Sequence, residues 1–434
     1  MKQLCAISCP IDTYSGYGAR SRDFFKALYE LKKEEWEFQI LSQRWGVTPW
    51  GYIRDNNSEW DWVTSMINTT GQLQRQPDVW IQMTVPNEFQ PIGKYNIGVT
   101  AGIETTICDA SWVEGVNRMH VTLVSSEHSK KVFEQSQFEK RDQQGNVVAH
   151  IKLEKPVEIL FEGVDLNKYF HINDEDLEET DLVQALDEID ESFCFLFVGH
   201  WLQGELGEDR KNTGLMLKTF LETFQNKKEK PALILKTSSA GSSIMDRYEI
   251  LKKIDAIRNS VGENLPNVYL LHGEMSDKDM NNLYNHKKVK AMFNLTKGEG
   301  FGRPLLEFAM VKKPIIVSAW SGHMDFLKQD LTCLLGGELK NVHPSAAVQN
   351  MILQESQWFS PNVNQAKHYL KEVYENYKKY VELAKQQSHQ CRTNFNFDKM
   401  KDLLGTYTER VPKQVKLKLP QLKKIELPKL KKVE

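Results

Sequence analysis

The chain contains 434 residues, of which 40% are hydrophobic and 26% are charged. A chain of this length exceeds what one hydrophobic core usually serves, so we expect two domains. The formal net charge is -2, which excludes an overall attraction to nucleic acid or to anionic membranes and identifies no partner.

Cysteine usage and the apolar runs indicate the compartment. The six cysteines are Cys5, Cys9, Cys108, Cys194, Cys333 and Cys391. Because no two of them form a CxxC pair, they fit reduced core thiols better than a disulfide framework or a zinc site. The N-terminal apolar run ends at Pro10, too early for a secretory signal, and no run reaches the roughly 20 apolar residues of a membrane span. We therefore predict a cytoplasmic protein without a transmembrane segment.

The first half of the chain alternates short apolar runs with segments of helical period, which is typical of βαβ units with a parallel sheet. The first predicted strand, residues 4–8, leads into a turn that contains Gly16 and Gly18 and then into a helix. Residues 159–165 are predicted to form the closing strand and turn of this half. The strands predicted between them lie at residues 38–41, 79–83, 95–100 and 121–125.

The second half repeats this alternation after an acidic stretch. Residues 174–191 are rich in Asp and Glu, and they are interpreted either as an exposed connection or as a solvated acidic helix. Beyond them a helix is predicted at 213–224, and a long helical pattern begins after Val363. The predicted strands lie at residues 193–198, 232–236, 268–271, 291–295 and 314–317.

These patterns predict two parallel-sheet domains of similar size. The predicted parts are a first domain at 1–172, an acidic connector at 173–191, a second domain at 192–362, C-terminal helices at 363–410 that cover one domain or bridge both, and a tail at 411–434. In the tail, LPQLKK recurs as LPKLKK, and its prolines forbid a continuous helix, so we expect an extended, mobile segment. It is interpreted either as a tether to an anionic surface or partner protein, or as a solvating tail.

The segment 297–310 carries the most chemical information. Gly298, Gly300 and Gly302 precede a predicted helix, and glycines let backbone amides approach a ligand whose phosphate the helix N-terminus attracts. Glu307 lies about one turn inside that helix, where its carboxylate can accept hydrogen bonds from the vicinal hydroxyls of a sugar or ribose. An ordinary glycine loop followed by a carboxylate near a helix N-terminus would show the same residue types.

The spacing of Glu299 and Glu307, with seven residues between them, resembles the E-x7-E signature of retaining GT-B glycosyltransferases of the family 4 or group 1 type. Residues 313–318 and the turn at 321–323 also resemble the next strand and glycine turn of that family. The resemblance implies an α/β protein with the GT-B fold: two facing Rossmann-like parallel-sheet domains, a C-terminal helix and a flexible tail. It further implies transfer of a sugar from a nucleotide-sugar donor to a glycan or other hydroxyl acceptor, with retention of the anomeric configuration.

The resemblance also assigns roles to individual residues. Arg210 and Lys211 resemble the basic pair that neutralises the donor diphosphate, and together with Glu299 they are the predicted catalytic residues. The predicted donor-binding residues are Gly16, Gly18, His200, Lys236, Gly300, Phe301, Gly302, Arg303 and Glu307. Glu104 departs from the family, because many members carry a histidine after the corresponding strand. We expect Glu104 either to contact the transferred sugar or the acceptor, or to be structural.

A reaction of this type needs no metal ion and no cofactor, as the resemblance implies, because cationic side chains and a helix dipole stabilise the leaving diphosphate. The string Asp174-Glu175-Asp176 matches the D-x-D metal-binding pattern of a different transferase fold, but it lies in the acidic connector. Three alternatives stay open: a nucleotide-sugar epimerase, a DNA-modifying glycosyltransferase, and a non-catalytic glycan or nucleotide-sugar binding protein.

Overall fold

The computed structural model of the chain describes residues 2–239 and 241–413. Two six-stranded sheets form its framework, and every neighbouring pair of strands within them is parallel. The predicted α/β class with two parallel-sheet domains is therefore confirmed.

The first sheet has the order β2-β1-β3-β4-β5-β8, and β6 and β7 form a separate antiparallel hairpin. These strands are β1 (Gln3–Cys9), β2 (Trp36–Ser42), β3 (Val79–Met83), β4 (Tyr95–Thr100), β5 (Val121–Val124), β6 (Phe138–Arg141), β7 (Val147–Ile151) and β8 (Val157–Ile159). The α-helices of this domain are α1 (Gly16–Lys32), α2 (Tyr52–Asp55), α3 (Asn57–Thr64), α4 (Ala110–Asn117) and α5 (Glu127–Gln135). A 3₁₀ turn at Pro86–Glu88 completes it.

The second sheet has the order β11-β10-β9-β12-β13-β14, and an antiparallel pair, β15 with β16, follows it. These strands are β9 (Cys194–Val198), β10 (Ala232–Lys236), β11 (Val268–Leu271), β12 (Val289–Phe293), β13 (Ile315–Ser318), β14 (Cys333–Leu335), β15 (Gly337–Asn341) and β16 (Gln357–Pro361). The α-helices from the connector onward are α6 (Asp181–Asp187), α7 (Thr213–Phe224), α8 (Ile244–Val261), α9 (Asp277–Asn285), α10 (Arg303–Ala309), α11 (Val363–Glu375), α12 (Tyr377–Asn394) and α13 (Phe397–Thr408). The 3₁₀ turns lie at Asp174–Asp176, Gly322–Asp325 and Pro344–Ala346.

The central strands lie where their apolar runs predict them. The strands β3, β4, β10 and β11 and the helix α7 have the predicted bounds. All six cysteines are free and buried, as expected of core thiols. Parallel strands buried on both faces read as continuous apolar runs, which is why they are readily predicted.

Two predicted elements need correction. The closing strand and turn predicted at 159–165 are displaced, because β8 ends at Ile159 and the chain then leaves the sheet, where Val164 pairs with Asn396. A side chain at position 163 would meet the Asn396 carbonyl oxygen at 2.5 Å, so the glycine permits this approach. The acidic stretch is also not uniformly exposed, because α6 buries Val183 and Leu186.

The C-terminal helices connect the two domains. α11 packs on α7 of the second domain, whereas α13 packs on α1 of the first. Leu404 and Met400 of α13 belong to the first-domain core, and the Tyr407 hydroxyl donates a hydrogen bond to the Ile159 carbonyl at 2.7 Å. The chain therefore returns to the domain in which it began.

The predicted tail starts in ordered structure. Val411 is buried in the first-domain core, and the Gln3 side-chain amide donates to the Pro412 carbonyl at 2.9 Å. Residue 411 is thus part of the domain, and the predicted mobile segment begins too early. The lysine-rich repeat itself lies outside the described residues. Within the part of the chain that the structure describes, no helix is long and apolar enough to cross a membrane.

Because α13 packs in the core of the first domain, truncation of its buried side chain Leu404 should affect that domain alone. Leu404→Ala removes a buried side chain from the first domain and is expected to destabilise that domain by about 2 to 5 kcal/mol. Hydrogen exchange should become faster in β1 while β9 of the second domain keeps its protection. Lys399→Ala, at an exposed position of the same helix, is the control and should change neither. Equal loss of protection in both domains would contradict this role of α13.

Candidate functional site

The site lies at the carboxyl ends of the strands in the second sheet. β9 and β12 are neighbours at the middle of this sheet. From β9 the chain continues to β10 on one side, and from β12 it continues to β13 on the other, so the strand order reverses between β9 and β12. Ligands of open parallel sheets bind at such a switch point. The loop after β9 carries Arg210 and Lys211, and the loop after β12 carries Glu299. The predicted catalytic residues are therefore brought together although 88 positions separate Lys211 from Glu299 in sequence.

The glycines of the second loop let the first domain approach closely. A side chain at position 298 would lie 2.3 Å from the Glu104 carbonyl oxygen, and one at position 300 would lie 2.9 Å from the Ala101 carbonyl oxygen. Gly302 has φ +95°, a left-handed conformation that favours glycine, and α10 begins at the next residue. Two of the three glycines thus serve the contact between domains as well as the shape of the loop.

Hydrogen bonds across the cleft hold this loop. The hydroxyls of Ser125 and Ser126, at the start of α5, donate to the Gly300 carbonyl at 3.0 and 2.6 Å. The backbone amide of Glu127 donates to the Asp325 carboxylate at 3.0 Å. The first domain therefore contacts both this loop and the 3₁₀ turn at Gly322–Asp325 through directed polar groups.

Four charged side chains form the centre of the site. The Lys211 Nζ lies 2.7 Å from both carboxylate oxygens of Glu299. The Arg210 Nη1 lies 3.1 Å from Glu104 Oε1 and 3.6 Å from Glu299 Oε2, and it donates to the Gly298 carbonyl at 3.0 Å. Two cations and two carboxylates thus meet, and one of the carboxylates comes from the first domain.

The electrostatics of Glu299 follow from these partners. Burial by itself raises the pKa of the Glu299 carboxyl, but Lys211 and Arg210 outweigh burial and lower the pKa to about 2. Glu299 is therefore ionised at neutral pH, so its two oxygens accept hydrogen bonds and neither donates one.

Glu307 has a different environment. One carboxylate oxygen accepts a hydrogen bond from Arg303 Nε at 2.8 Å, and the other accepts one from the Tyr284 hydroxyl at 3.3 Å. The Arg303 Nη1 also lies 2.6 Å from Asp23 on α1 of the first domain. Burial raises the pKa of Glu307 to about 7, despite the attraction of Arg303, and Asp277 adds to the rise.

The remaining predicted residues fall into three groups. His200 follows β9, and one of its ring nitrogens lies 2.9 Å from the Ser239 carbonyl oxygen. Lys236 is the last residue of β10, and its Nζ donates a hydrogen bond to the Gly273 carbonyl at 2.6 Å. The Phe301 side chain is buried against Phe326 in the second-domain core, so only its main chain is left for a donor contact.

Gly16 and Gly18 lie at the start of α1. A side chain at position 16 would point into open space, whereas one at position 18 would lie 2.2 Å from the Thr13 carbonyl oxygen. Ser15 caps the helix by accepting a hydrogen bond from the Gly18 amide. Gly18 thus shapes the turn, and Gly16 leaves room above a helix N-terminus.

Several residues of the site are not predicted from the sequence. Asp23 and Tyr284 contact Arg303 and Glu307, but no local pattern connects either of them with the E-x7-E segment. Lys168 joins Glu59 of the first domain to Asp277 of the second at 2.8 Å each. It lines a cavity of about 670 Å³ between α3, the connector and α9.

The metal-binding pattern in the connector has no structural support. Asp174 and Asp176 lie in an exposed 3₁₀ turn. Among the described residues, no group of three or more His, Cys, Asp or Glu side chains is placed to hold a metal ion. The Asp-Glu-Asp string is therefore not part of the charged centre.

Comparison with known proteins identifies the architecture. No family model matches the chain, and no curated protein matches it. HepE of Anabaena, solved with UDP and glucose, is 12% identical, and the match covers 94% of this chain and 99% of that chain with a TM-score of 0.57. A glycosyltransferase of Rickettsia africae is 11% identical over 94% of this chain and 98% of that chain, with a TM-score of 0.62. Sucrose-phosphate synthase of Thermosynechococcus elongatus is 12% identical over 94% and 99% respectively, with a TM-score of 0.60.

These similarities establish the fold. The chain has the GT-B architecture of two facing parallel-sheet domains that these glycosyltransferases share, as the E-x7-E resemblance implied. The likeness extends over nearly the whole of both chains, and sequence identity is low throughout.

The raised pKa of Glu307 predicts a pH-dependent stability. A carboxyl with a folded-state pKa of about 7 against an ordinary value of 4.5 contributes stability that is fully present below pH 4.5 and is lost as the pH rises through 7. The loss is on the order of 3 kcal/mol, since one pKa unit corresponds to about 1.4 kcal/mol. Urea unfolding of the parent and of Glu307→Gln, measured from pH 5 to 8, should show the variant gaining stability relative to the parent as the pH rises.

Glu375→Gln provides the matched control, because Glu375 is exposed on α11 of the same half of the chain. Its difference from the parent should not change with pH. A parent and a Glu307→Gln variant whose difference stayed constant from pH 5 to 8 would show that Glu307 is ionised throughout this range.

Proposed function

We propose that the chain is a glycosyltransferase that moves a sugar from a nucleotide-sugar donor to a hydroxyl acceptor with retention of the anomeric configuration. The observation that carries this proposal is the meeting of Arg210, Lys211, Glu299 and Glu104 at the switch point of the second sheet, within a GT-B fold. HepE, which shares the fold, is solved with UDP and glucose, and this supports a nucleotide sugar as the donor.

In this proposal the cations bind the leaving group. Arg210 and Lys211 hold the donor diphosphate and stabilise the charge that develops on it as the glycosidic bond breaks. The amides at the start of α1, beside Gly16, approach the same diphosphate from the first domain. Both cations are already oriented by carboxylates, so little reorganisation is needed at the moment of reaction.

The carboxylates bind hydroxyl groups. Glu299, ionised and adjacent to the main chain of Gly300 to Gly302, accepts hydrogen bonds from the transferred sugar. Glu307 accepts hydrogen bonds from the ribose of the donor. Its oxygens then accept from the ribose hydroxyls in addition to Arg303 or Tyr284. The acceptor hydroxyl, which enters from the first domain, passes its proton to the departing phosphate oxygen on the same face of the sugar.

We further propose that the reaction uses neither a metal ion nor a cofactor, because the leaving diphosphate has cationic side chains to stabilise it. Reduced, buried cysteines support a cytoplasmic location. Attachment of the lysine-rich tail to an anionic surface or a partner protein stays a prediction.

A donor screen tests the proposed function. Thermal shift and hydrolysis are measured with UDP-, GDP- and ADP-sugars, and one donor is expected to stabilise the parent and to be slowly hydrolysed. Lys211→Ala and the more nearly isosteric Lys211→Met should lose about 100- to 1000-fold in rate, since each removes a group that stabilises the leaving diphosphate. Lys228→Ala, at an exposed position in the same domain, is the control and should hydrolyse the donor like the parent.

The alternatives give different results in the same screen. Conversion of the nucleotide sugar to its epimer without an acceptor would identify an epimerase, and donor binding with no hydrolysis or transfer to any acceptor would identify a binding protein. Transfer to duplex DNA, with binding that weakens steeply as salt increases, would identify a DNA-modifying enzyme. Failure of every nucleotide sugar to stabilise the parent would remove the donor-site assignment.

Stereochemistry and metal dependence are tested on the donor that the screen selects. Proton NMR at early times is expected to show that the released or transferred sugar keeps the anomeric configuration of the donor. Treatment with excess EDTA should leave the rate unchanged. An inverted product would contradict same-face transfer, and a rate that EDTA abolishes and magnesium or manganese restores would contradict metal independence.

A further inference from the structure

Glu104 is the one carboxylate in the charged centre that the first domain supplies. Its loop contacts the second domain at the residue's own carbonyl and again at Thr106. Thr106 donates its amide to the Gln357 carbonyl at 2.8 Å and accepts the Gln357 amide at its hydroxyl at 3.0 Å. The Glu104 carbonyl lies so close to Gly298 that no side chain fits there. The main chain at Glu104 is therefore positioned by contacts that do not depend on the ion pair of its carboxylate.

The carboxylates of Glu104 and Glu299 converge on one guanidinium. Arg210 Nη1 is 3.1 Å from the first and 3.6 Å from the second, and the side chains of all three residues are less than one-fifth exposed. Burial lowers the pKa of Arg210, and the two carboxylates more than offset this effect. With Lys211 included, the four side chains sum to zero charge, so no cation in this group is left without a carboxylate.

We propose that Glu104 makes the sugar subsite selective for donors with a neutral sugar and causes rejection of donors with a hexuronic acid. This inference rests on the proposed function and specifies the substrate class of that site. Glu104 is a specificity-determining residue, because a sugar bound at Glu299 beside Arg210 also faces the carboxylate of Glu104.

The physical reason is the difference between a hydroxyl and a carboxylate at this place. A hydroxyl donates a hydrogen bond to Glu104 or Glu299 and itself takes no cationic partner from either carboxylate. A uronate carboxylate can only accept, so it would have to take Arg210 from Glu104 or lie against two like charges. Either arrangement leaves a carboxylate without its partner in a largely buried site, which is strongly unfavourable.

A purely structural role for the Glu104–Arg210 pair predicts a different result. If the pair served only to hold the domains together, its loss would slow neutral and acidic donors alike, because both require the same docked domains. The ratio of kcat/KM between the two donors isolates selectivity from docking. The ratio is therefore the quantity to measure.

The test compares UDP-glucose with UDP-glucuronate, and GDP-mannose with GDP-mannuronate, as hydrolysis substrates of the full chain. We expect the parent to prefer the neutral donor of the accepted nucleotide by at least about 100-fold in kcat/KM, since a misplaced charge costs several factors of ten. In Glu104→Gln this ratio should fall at least about 10-fold, because the amide can donate to a uronate. Glu114→Gln, at an exposed position on α4 of the same domain, should keep the parent ratio.

A second measurement needs no variant. The parent should bind UDP-glucuronate or GDP-mannuronate more weakly than the corresponding free nucleotide diphosphate, and should bind the neutral donor at least as tightly as that diphosphate. Equal use of neutral and acidic donors by the parent, or an unchanged ratio in Glu104→Gln, would overturn the inference and leave the glycosyltransferase proposal standing. Failure of these nucleotide sugars, of both diphosphates and of the ADP-sugars of the donor screen to bind would overturn both.

Discussion

The buried ion-pair network around Glu299 is the interaction on which the arrangement of the two domains depends. Lys211 and Arg210 belong to the second domain and Glu104 to the first, so the network crosses the cleft between them. A charge in such a place is tolerated only with its partners, and removal of one partner from a buried pair typically costs about 3 to 5 kcal/mol. The loops after β4, β9 and β12 must therefore keep their relative positions, and the two sheets that carry these loops must keep theirs.

The main chain of the loop after β12 also holds the two domains in their relative position. Its carbonyl at Gly300 accepts two serine hydroxyls from the first domain, and the absence of a side chain at Gly298 admits the carbonyl of Glu104. The close approach of the two main chains requires glycine at these positions, because a side chain would collide with the first domain. Arg303 adds a second charged contact across the cleft through Asp23. The charged centre and the loop that frames it are thus held by both domains at once.

Sequence patterns predict the elements that depend on neighbouring residues. They do not predict contacts between residues that are far apart in the chain. β3, β4, β10 and β11 have the predicted bounds because each is an apolar run bounded by turn residues. The β6–β7 hairpin is not among the predicted elements, because β6 is polar apart from Phe138 and the short apolar run of β7 is exposed and belongs to neither central sheet. At the site, the spacing of Glu299 and Glu307 is a local signal, whereas the pairing of Arg303 with Asp23 joins residues 280 positions apart. The burial of Phe301 was also beyond the pattern, because the glycines on either side of it indicate an open loop.

The charge of the site indicates what donor binding must change. The four side chains at the centre are neutral in sum, and Glu307 shares Arg303 with Asp23. In the proposed function, a donor diphosphate would bring about two negative charges to cations that carboxylates already engage, so it would compete with Glu299 and Glu104 for Lys211 and Arg210. The carboxylates that lose cationic contact then become stronger acceptors for the hydroxyls of the bound sugar and ribose. Binding of the diphosphate and recognition of the sugar are in this way energetically coupled, and the coupling needs no movement larger than the exchange of ion-pair partners.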